Sequence, residues 1–129
     1  MGRIYATLVG MVLFLLGLVG LLLGDELLLG VVNIDVLEDL VHLASVALLL
    51  YAGVQRDVGV ARGIIGALSL VYLLIGVLGF VVPYLFRLLP HRYSIVDNAI
   101  HLVLGLLGLL VYANSRLPGP ERGAADPRA

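Results

Sequence analysis

Two uncharged runs leave this chain very few ways to fold. Residues 4–24, between Arg3 and Asp25, carry no charge over 21 positions, and residues 63–86, between Arg62 and Arg87, carry none over 24. About 20 apolar residues are enough for a helix to cross the hydrocarbon core of a bilayer. Two further apolar stretches, about 36–53 and 95–114, contain acids only near their starts. Hydrophobic residues make up 61% of the chain and charged residues 13%, where soluble domains run near 25% charged. A soluble domain built from such segments would have almost no polar surface to present. The expectation is an all-α integral membrane protein with four transmembrane helices, at about 4–23, 36–53, 60–82 and 95–114.

The same composition excludes several functions. Net charge is −1, with no lysine and no basic run, so no nucleic-acid partner is expected; the expected partner is the lipid bilayer. With no cysteine there is no disulfide, thiolate nucleophile, cysteine-ligated zinc or iron–sulfur cluster. The first apolar run is longer than the ~7–15 residues of a signal-peptide core and lacks a small-residue cleavage pattern, so it reads as a retained helix. No phosphate-binding loop, dinucleotide fingerprint, metalloprotease pair or nucleophile elbow is present, and no enzymatic activity is expected.

Along the chain, Gly10, Gly17 and Gly24 recur every seven residues. In lipid, helices associate through close packing, which glycine permits; this stripe can face either another helix of the same chain or a second copy. Residues 27–34 are apolar but too short to span, and are expected to lie along the interface or fold over the bundle's end. Asp35 and Glu38 have the spacing of a capping box, as do Ser94 and Asp97. Asp35 and Ser94 are therefore the expected caps of the second and fourth helices. Residues 117–129, rich in Pro and Gly, are expected to form a disordered cytoplasmic tail.

An offset of 59 relates the two halves. It matches Arg3 with Arg62, Gly17 with Gly76, Gly20 with Gly79, Asp35 with Ser94, Glu38 with Asp97, and His42 with His101. Each half holds two helices, so the repeats (about 3–53 and 62–112) enter from the same side. They are expected to be parallel hairpins about a pseudo-two-fold axis along the membrane normal. That axis can turn His42 and His101 towards each other. Arg3, Arg56, Arg62, Arg116, Arg122 and Arg128 fall on one side, against Arg87 and Arg92 on the other. This asymmetry predicts a multi-pass protein of the plasma membrane with both termini cytoplasmic. Tyr72 falls mid-membrane and is expected to need a hydrogen-bond acceptor there.

Glu38 and His42 lie four apart on one helix face, as do Asp97 and His101. Ionisable groups at membrane depth mark functional sites, and three readings compete. In the first, the carboxylates cap helices and the imidazoles form a polar contact between repeats, with Gly105 letting a neighbouring helix approach His101. In the second, His42 and His101 ligate a haem, or join Glu38 and Asp97 around a divalent metal. In the third, acid and histidine pass protons at the mouth of a transport path, which would require a homo-oligomer or larger membrane complex to enclose a pore. His91, between Pro90 and Arg92, reads as a surface histidine.

The turn Asp97-Asn98-x-x-His101-Leu102, together with Val41-His42-Leu43, resembles the small bacterial four-helix membrane proteins catalogued as domain of unknown function 4383. The resemblance covers residues 3–114, and the first copy departs from it, with Glu38 and Asp39 replacing the Asp–Asn pair. It implies a four-helix integral membrane protein and supplies no activity. The first reading leads: a non-enzymatic structural or accessory membrane protein with no cofactor.

Overall fold

The computed structural model describes residues 2–23, 27–30, 32–33, 35–82, 84, 86 and 93–115. Gly24, Asp25 and Glu26, the connection carrying Arg87, Pro90, His91 and Arg92, and the tail at 117–129 lie outside the described residues. Four helices dominate: α1 (Gly2–Leu23), α2 (Val36–Val54), α3 (Val58–Val81) and α4 (Ile95–Asn114). All four are long and apolar enough to cross a membrane. The chain is a small four-span membrane protein.

Local chemistry sets the helix ends. Asp35 caps α2 by accepting the Glu38 N–H at 2.9 Å. Asp57 caps α3, accepting from Gly59 at 2.7 Å and Val60 at 3.4 Å. That cap starts α3 at Val58, two residues before the hydropathy pattern alone suggests. Ser94 caps α4 in a complete box: its hydroxyl accepts the Asp97 N–H at 3.1 Å, and Asp97 accepts the Ser94 N–H at 3.0 Å. Between α1 and α2, β1 (Leu27–Leu28) pairs antiparallel with β2 (Val32–Asn33). Leu29 and Gly30 turn the chain with φ of 55° and 73°, the left-handed region that tight turns use. Because β2 rests on α4, this segment folds over the end of the bundle.

Packing is strongest within two antiparallel pairs, α1 with α2 and α3 with α4, and α2 against α3 joins them. The buried residues of α1 are Ala6, Gly10, Leu13, Gly17 and Gly20, a 4-3-4-3 spacing that marks a heptad seam of gently crossing helices. Adding 59 to these positions gives Ile65, Ser69, Tyr72, Gly76 and Gly79, every one of them buried on α3. The α1 glycine stripe therefore meets α2 of the same chain; Gly24 lies outside the described residues.

The partners recur at the same offset. A Cβ at Gly17 would meet Leu43 Cγ at 3.1 Å, and one at Gly76 would meet Leu102 Cγ at 2.9 Å. A Cβ at Gly20 would collide with the Asp39 carboxylate, and one at Gly79 with the Asn98 side chain. Elsewhere the small residue changes helices. Gly53 on α2 faces Thr7, whereas at the matching pair Gly66 on α3 faces Tyr112. Gly10 faces Leu49, whereas Ser69 is faced by Gly108. What persists is one small partner per contact, which is what two backbones need to approach in lipid.

Polarity is inverted relative to a soluble protein. Leu8, Leu15, Leu22, Leu70, Leu74, Val81, Leu106 and Leu110 are exposed, while Asp35, Glu38, Asp39, Ser45, Ser69, Asp97, Asn98 and His101 are buried. An apolar exterior of this extent is far larger than any soluble monomer presents and fits contact with acyl chains.

The glycine seam yields a direct test. At Gly105 a Cβ would meet backbone atoms of α3, Leu73 N and Ser69 O, both at 2.8 Å, and backbone cannot rotate away. Gly105→Ala is expected to destabilise the protein by about 1–3 kcal/mol, the usual cost of overpacking. At Gly63, a helical position with nothing within 4 Å, Gly63→Ala is expected to be neutral or stabilising by up to ~1 kcal/mol. Thermal denaturation in detergent of the two variants checks this; equal midpoints would remove the close-contact account.

Candidate functional site

At the end of the bundle where α2 and α4 begin, the polar side chains of both pairs converge. Glu38 sits in the first turn of α2, facing inward because it shares the seam with Asp39, Ser45 and Val46. His101 sits two turns into α4 between Asn98 and Gly105 on the buried face. His101 Nε2 lies 3.5 Å from Glu38 Oε1, and both side chains are almost wholly enclosed. His42, one turn beyond Glu38, is partly buried and keeps its Nδ1 shielded from solvent. Its ring centroid lies 6.2 Å from that of His101, with the planes tilted by 40°. At this end the polar link between the halves is thus carboxylate to imidazole, with the second imidazole alongside; further along, the Tyr5 hydroxyl of α1 donates to the Leu104 carbonyl of α4 at 3.1 Å.

The two acids, equivalent in the repeat, take different roles. Asp97 closes the capping box with Ser94. Glu38 does not close the corresponding box with Asp35: it donates its backbone N–H to Asp35 and sends its carboxylate to His101. The expected second box is half-formed, and chain length explains the difference. One extra methylene lets Glu38 reach across the bundle, where the shorter Asp97 folds back on its own helix start.

Two aromatic residues that the acid–histidine pattern does not reveal complete the site. Tyr72 of α3 stacks on His101 with centroids 5.6 Å apart, and Tyr93 meets the same ring edge-on at 5.5 Å. Tyr72 could have been found in the sequence, because it lies on the Ser69–Gly76–Gly79 seam. Tyr93 carries no such signal; it is placed by the chain folding back at the Ser94 cap. Burial pushes the Tyr93 hydroxyl well above the usual tyrosine range, with the nearby Glu38, Asp35 and Asp97 carboxylates adding to the effect. It therefore stays protonated at any physiological pH. Among the described residues Ser45 is the group the Tyr72 hydroxyl comes up against, without a hydrogen bond of normal geometry.

Five buried polar atoms have no hydrogen-bond partner among the described residues: Glu38 Oε2, His42 Nδ1, His101 Nδ1, Tyr72 Oη and Asn98 Oδ1. Such atoms are rare in folded proteins and each asks for an explanation. Glu38, His42 and His101 also offer one ligand atom each within 4.8 Å of one another. Asp97, expected as a fourth ligand, is not part of that set, its carboxylate being engaged at the cap. The remaining sequence-singled residues lie around this centre: Gly20 and Gly79 hold Asp39 and Asn98, Gly17 and Gly76 hold Leu43 and Leu102, and Gly105 admits α3 beside His101.

Comparison with protein families, with curated proteins and with solved structures returns no match. The reading of the site rests on its own geometry.

Glu38→Asp keeps the carboxyl group and shortens its reach. It is expected to lose the His101 contact and about 1–3 kcal/mol of stability, the cost of stranding a buried polar partner. Glu38→Gln, which preserves length, is expected to lose less. Thermal unfolding in detergent ranks the two variants; an unchanged midpoint for Glu38→Asp would show that the contact contributes nothing.

Proposed function

We propose that the chain is a non-enzymatic, structural or accessory protein of the plasma membrane whose two helical hairpins are clasped by Glu38, His42 and His101. The hairpins are related by a pseudo-two-fold axis along the membrane normal, and both termini are cytoplasmic. The buried residues and packing partners that recur at the 59-residue offset support the axis. Six arginines on the terminal side against two on the other support the orientation. The observation that carries the proposal is the 3.5 Å approach of Glu38 to His101, which joins α2 of one hairpin to α4 of the other.

A second reading is favoured by the unpartnered atoms: the clasp binds one divalent transition-metal ion. Two imidazoles and a carboxylate are a donor set for zinc, iron or manganese that leaves coordination positions open. Four buried acids at this end, Asp35, Glu38, Asp39 and Asp97, favour a cation there. With Tyr72 and Tyr93 packed on His101, a bare ion suits the space better than a porphyrin between the two rings.

Elemental analysis and an absorption spectrum of protein purified in mild detergent without chelators, followed by titration with Co(II), separate the readings. The metal reading expects one equivalent bound, with visible cobalt bands that vanish in His42→Ala and His101→Ala. The clasp alone expects no metal and no cobalt bands, with both variants melting earlier. Variants that melt like the parent and bind nothing would remove both.

A further inference from the structure

A second polar site lies at the opposite end of the bundle, and neither the clasp nor a bound metal involves it. A cavity of about 330 Å³ opens there, lined by Arg3 and Arg62 together with Gly2, Val58, Asn114 and Ser115. That volume is at the lower end of small-ligand pockets, which run ~300–1,000 Å³. Arg3 and Arg62 are partners in the 59-residue repeat, so the two halves bring their equivalent cations to one place.

Each arginine is held in the same manner. Arg3 donates through Nε and Nη2 to the Gln55 carbonyl just past α2. Arg62 donates through Nε to the Tyr112 carbonyl in the last turn of α4, at 2.9 Å, and its guanidinium lies 4.0 Å above the Tyr112 ring. Neither α2 nor α4 has a basic residue in its own last turn, so an arginine from the neighbouring helix supplies the charge that those carbonyl ends favour. A guanidinium has five N–H donors. Among the described residues two are used on Arg3 and one on Arg62, which leaves a fork of donors on each.

The electrostatic balance at this end is positive. The starts of α1 and α3 and the ends of α2 and α4 meet there, so their helix dipoles oppose one another in pairs. Among the described residues no acid lines the cavity. The nearest acid in sequence, Asp57, is engaged by Gly59 and Val60, and Arg56 beside it is exposed. The two arginines therefore decide the field.

We propose that this cavity binds a phosphate group, held between the free guanidinium donors of Arg3 and Arg62 with the polar ends of Asn114 and Ser115 beside it. Arginine forks match phosphate oxygens in geometry as well as charge. The phosphate belongs either to a phospholipid headgroup of the adjoining leaflet, where basic pockets between membrane helices collect anionic lipids, or to a soluble phosphate compound.

The test uses the full chain in mild detergent. Inorganic phosphate is titrated by calorimetry, and retention of phosphatidylglycerol against phosphatidylcholine is counted by native mass spectrometry. Saturable binding of one equivalent is expected, weakened roughly tenfold or more in Arg3→Gln and Arg62→Gln, the loss that follows from removing a hydrogen bond to a charged group. Binding of inorganic phosphate assigns a soluble ligand; retention of phosphatidylglycerol alone assigns a headgroup. Should the arginine variants not fold, Val58→Asp decides. It places a carboxylate in the cavity at a helix start, where acids are tolerated, leaves both arginine–carbonyl contacts in place, and is expected to abolish binding. Failure of both probes to bind, full binding by Val58→Asp, or an equal loss in Arg56→Gln, whose side chain does not line the cavity, would overturn the proposal.

Discussion

In a bilayer, helices gain nothing by hiding leucine from lipid, because acyl chains are as apolar as leucine. Association must come from surface that packs more closely against protein than against lipid, and the seams of this bundle meet that requirement in a consistent way. At each level of a hairpin one partner is glycine or another small residue, and the facing side chain fills the space so created. Where the small residue sits on the first helix in one half, it can sit on the second helix in the other, as with Thr7–Gly53 and Gly66–Tyr112. What the fold holds fixed is that one member of each such pair is small. Polar residues of the seams are positioned by these close approaches: Asp39 and Asn98 lie where Gly20 and Gly79 leave room for them, and His101 lies where Gly105 lets α3 come in beside it.

Close packing also explains why polarity gathers at the two ends. Helix starts and finishes leave backbone groups without intrahelical partners, and lipid supplies none. At one end, Asp35 and Ser94 satisfy the first N–H groups of α2 and α4. At the other, Arg3 and Arg62 satisfy carbonyls at the finish of the same two helices. The same chemical need, met by an aspartate and a serine at one end and by two arginines at the other, goes with an acid-rich end and an arginine-bearing end separated by the length of the bundle.

The fold was largely legible in the sequence, because uncharged runs of 21 and 24 residues admit few alternatives. The 59-residue offset was also legible, since rare residues such as arginine, histidine and glycine carry more information than leucine in so apolar a chain. Three things were not. The start of α3 depended on the Asp57 cap, which the apolar pattern does not weigh. The packing of Tyr93 onto His101 arises from a chain reversal with no periodicity to announce it. The cavity between Arg3 and Arg62 exists only once two sequence-distant helix starts are brought beside two helix finishes. The sequence pairs those arginines at the 59-residue offset and sets them on one side of the membrane, but no spacing announces a cavity between them.

The split between Glu38 and Asp97 shows how a repeated unit can diverge without losing its fold. Had both positions been aspartate, each carboxylate could have closed its own capping box, leaving His42 and His101 to face each other as two neutral rings. One methylene in the first copy breaks that equivalence. Glu38 gives up the return contact of its box, which costs its helix start about 1 kcal/mol or less, and gains the His101 imidazole as a partner on the other hairpin. Asp35 still caps α2 alone, so the loss is tolerated. The outcome is an off-axis cluster of one carboxylate and two imidazoles in place of a symmetric pair. Such a cluster has what a symmetric histidine pair lacks: a carboxyl group that can share a proton or a cation with an imidazole, and unequal partners that set one imidazole against Glu38 and leave the other alongside.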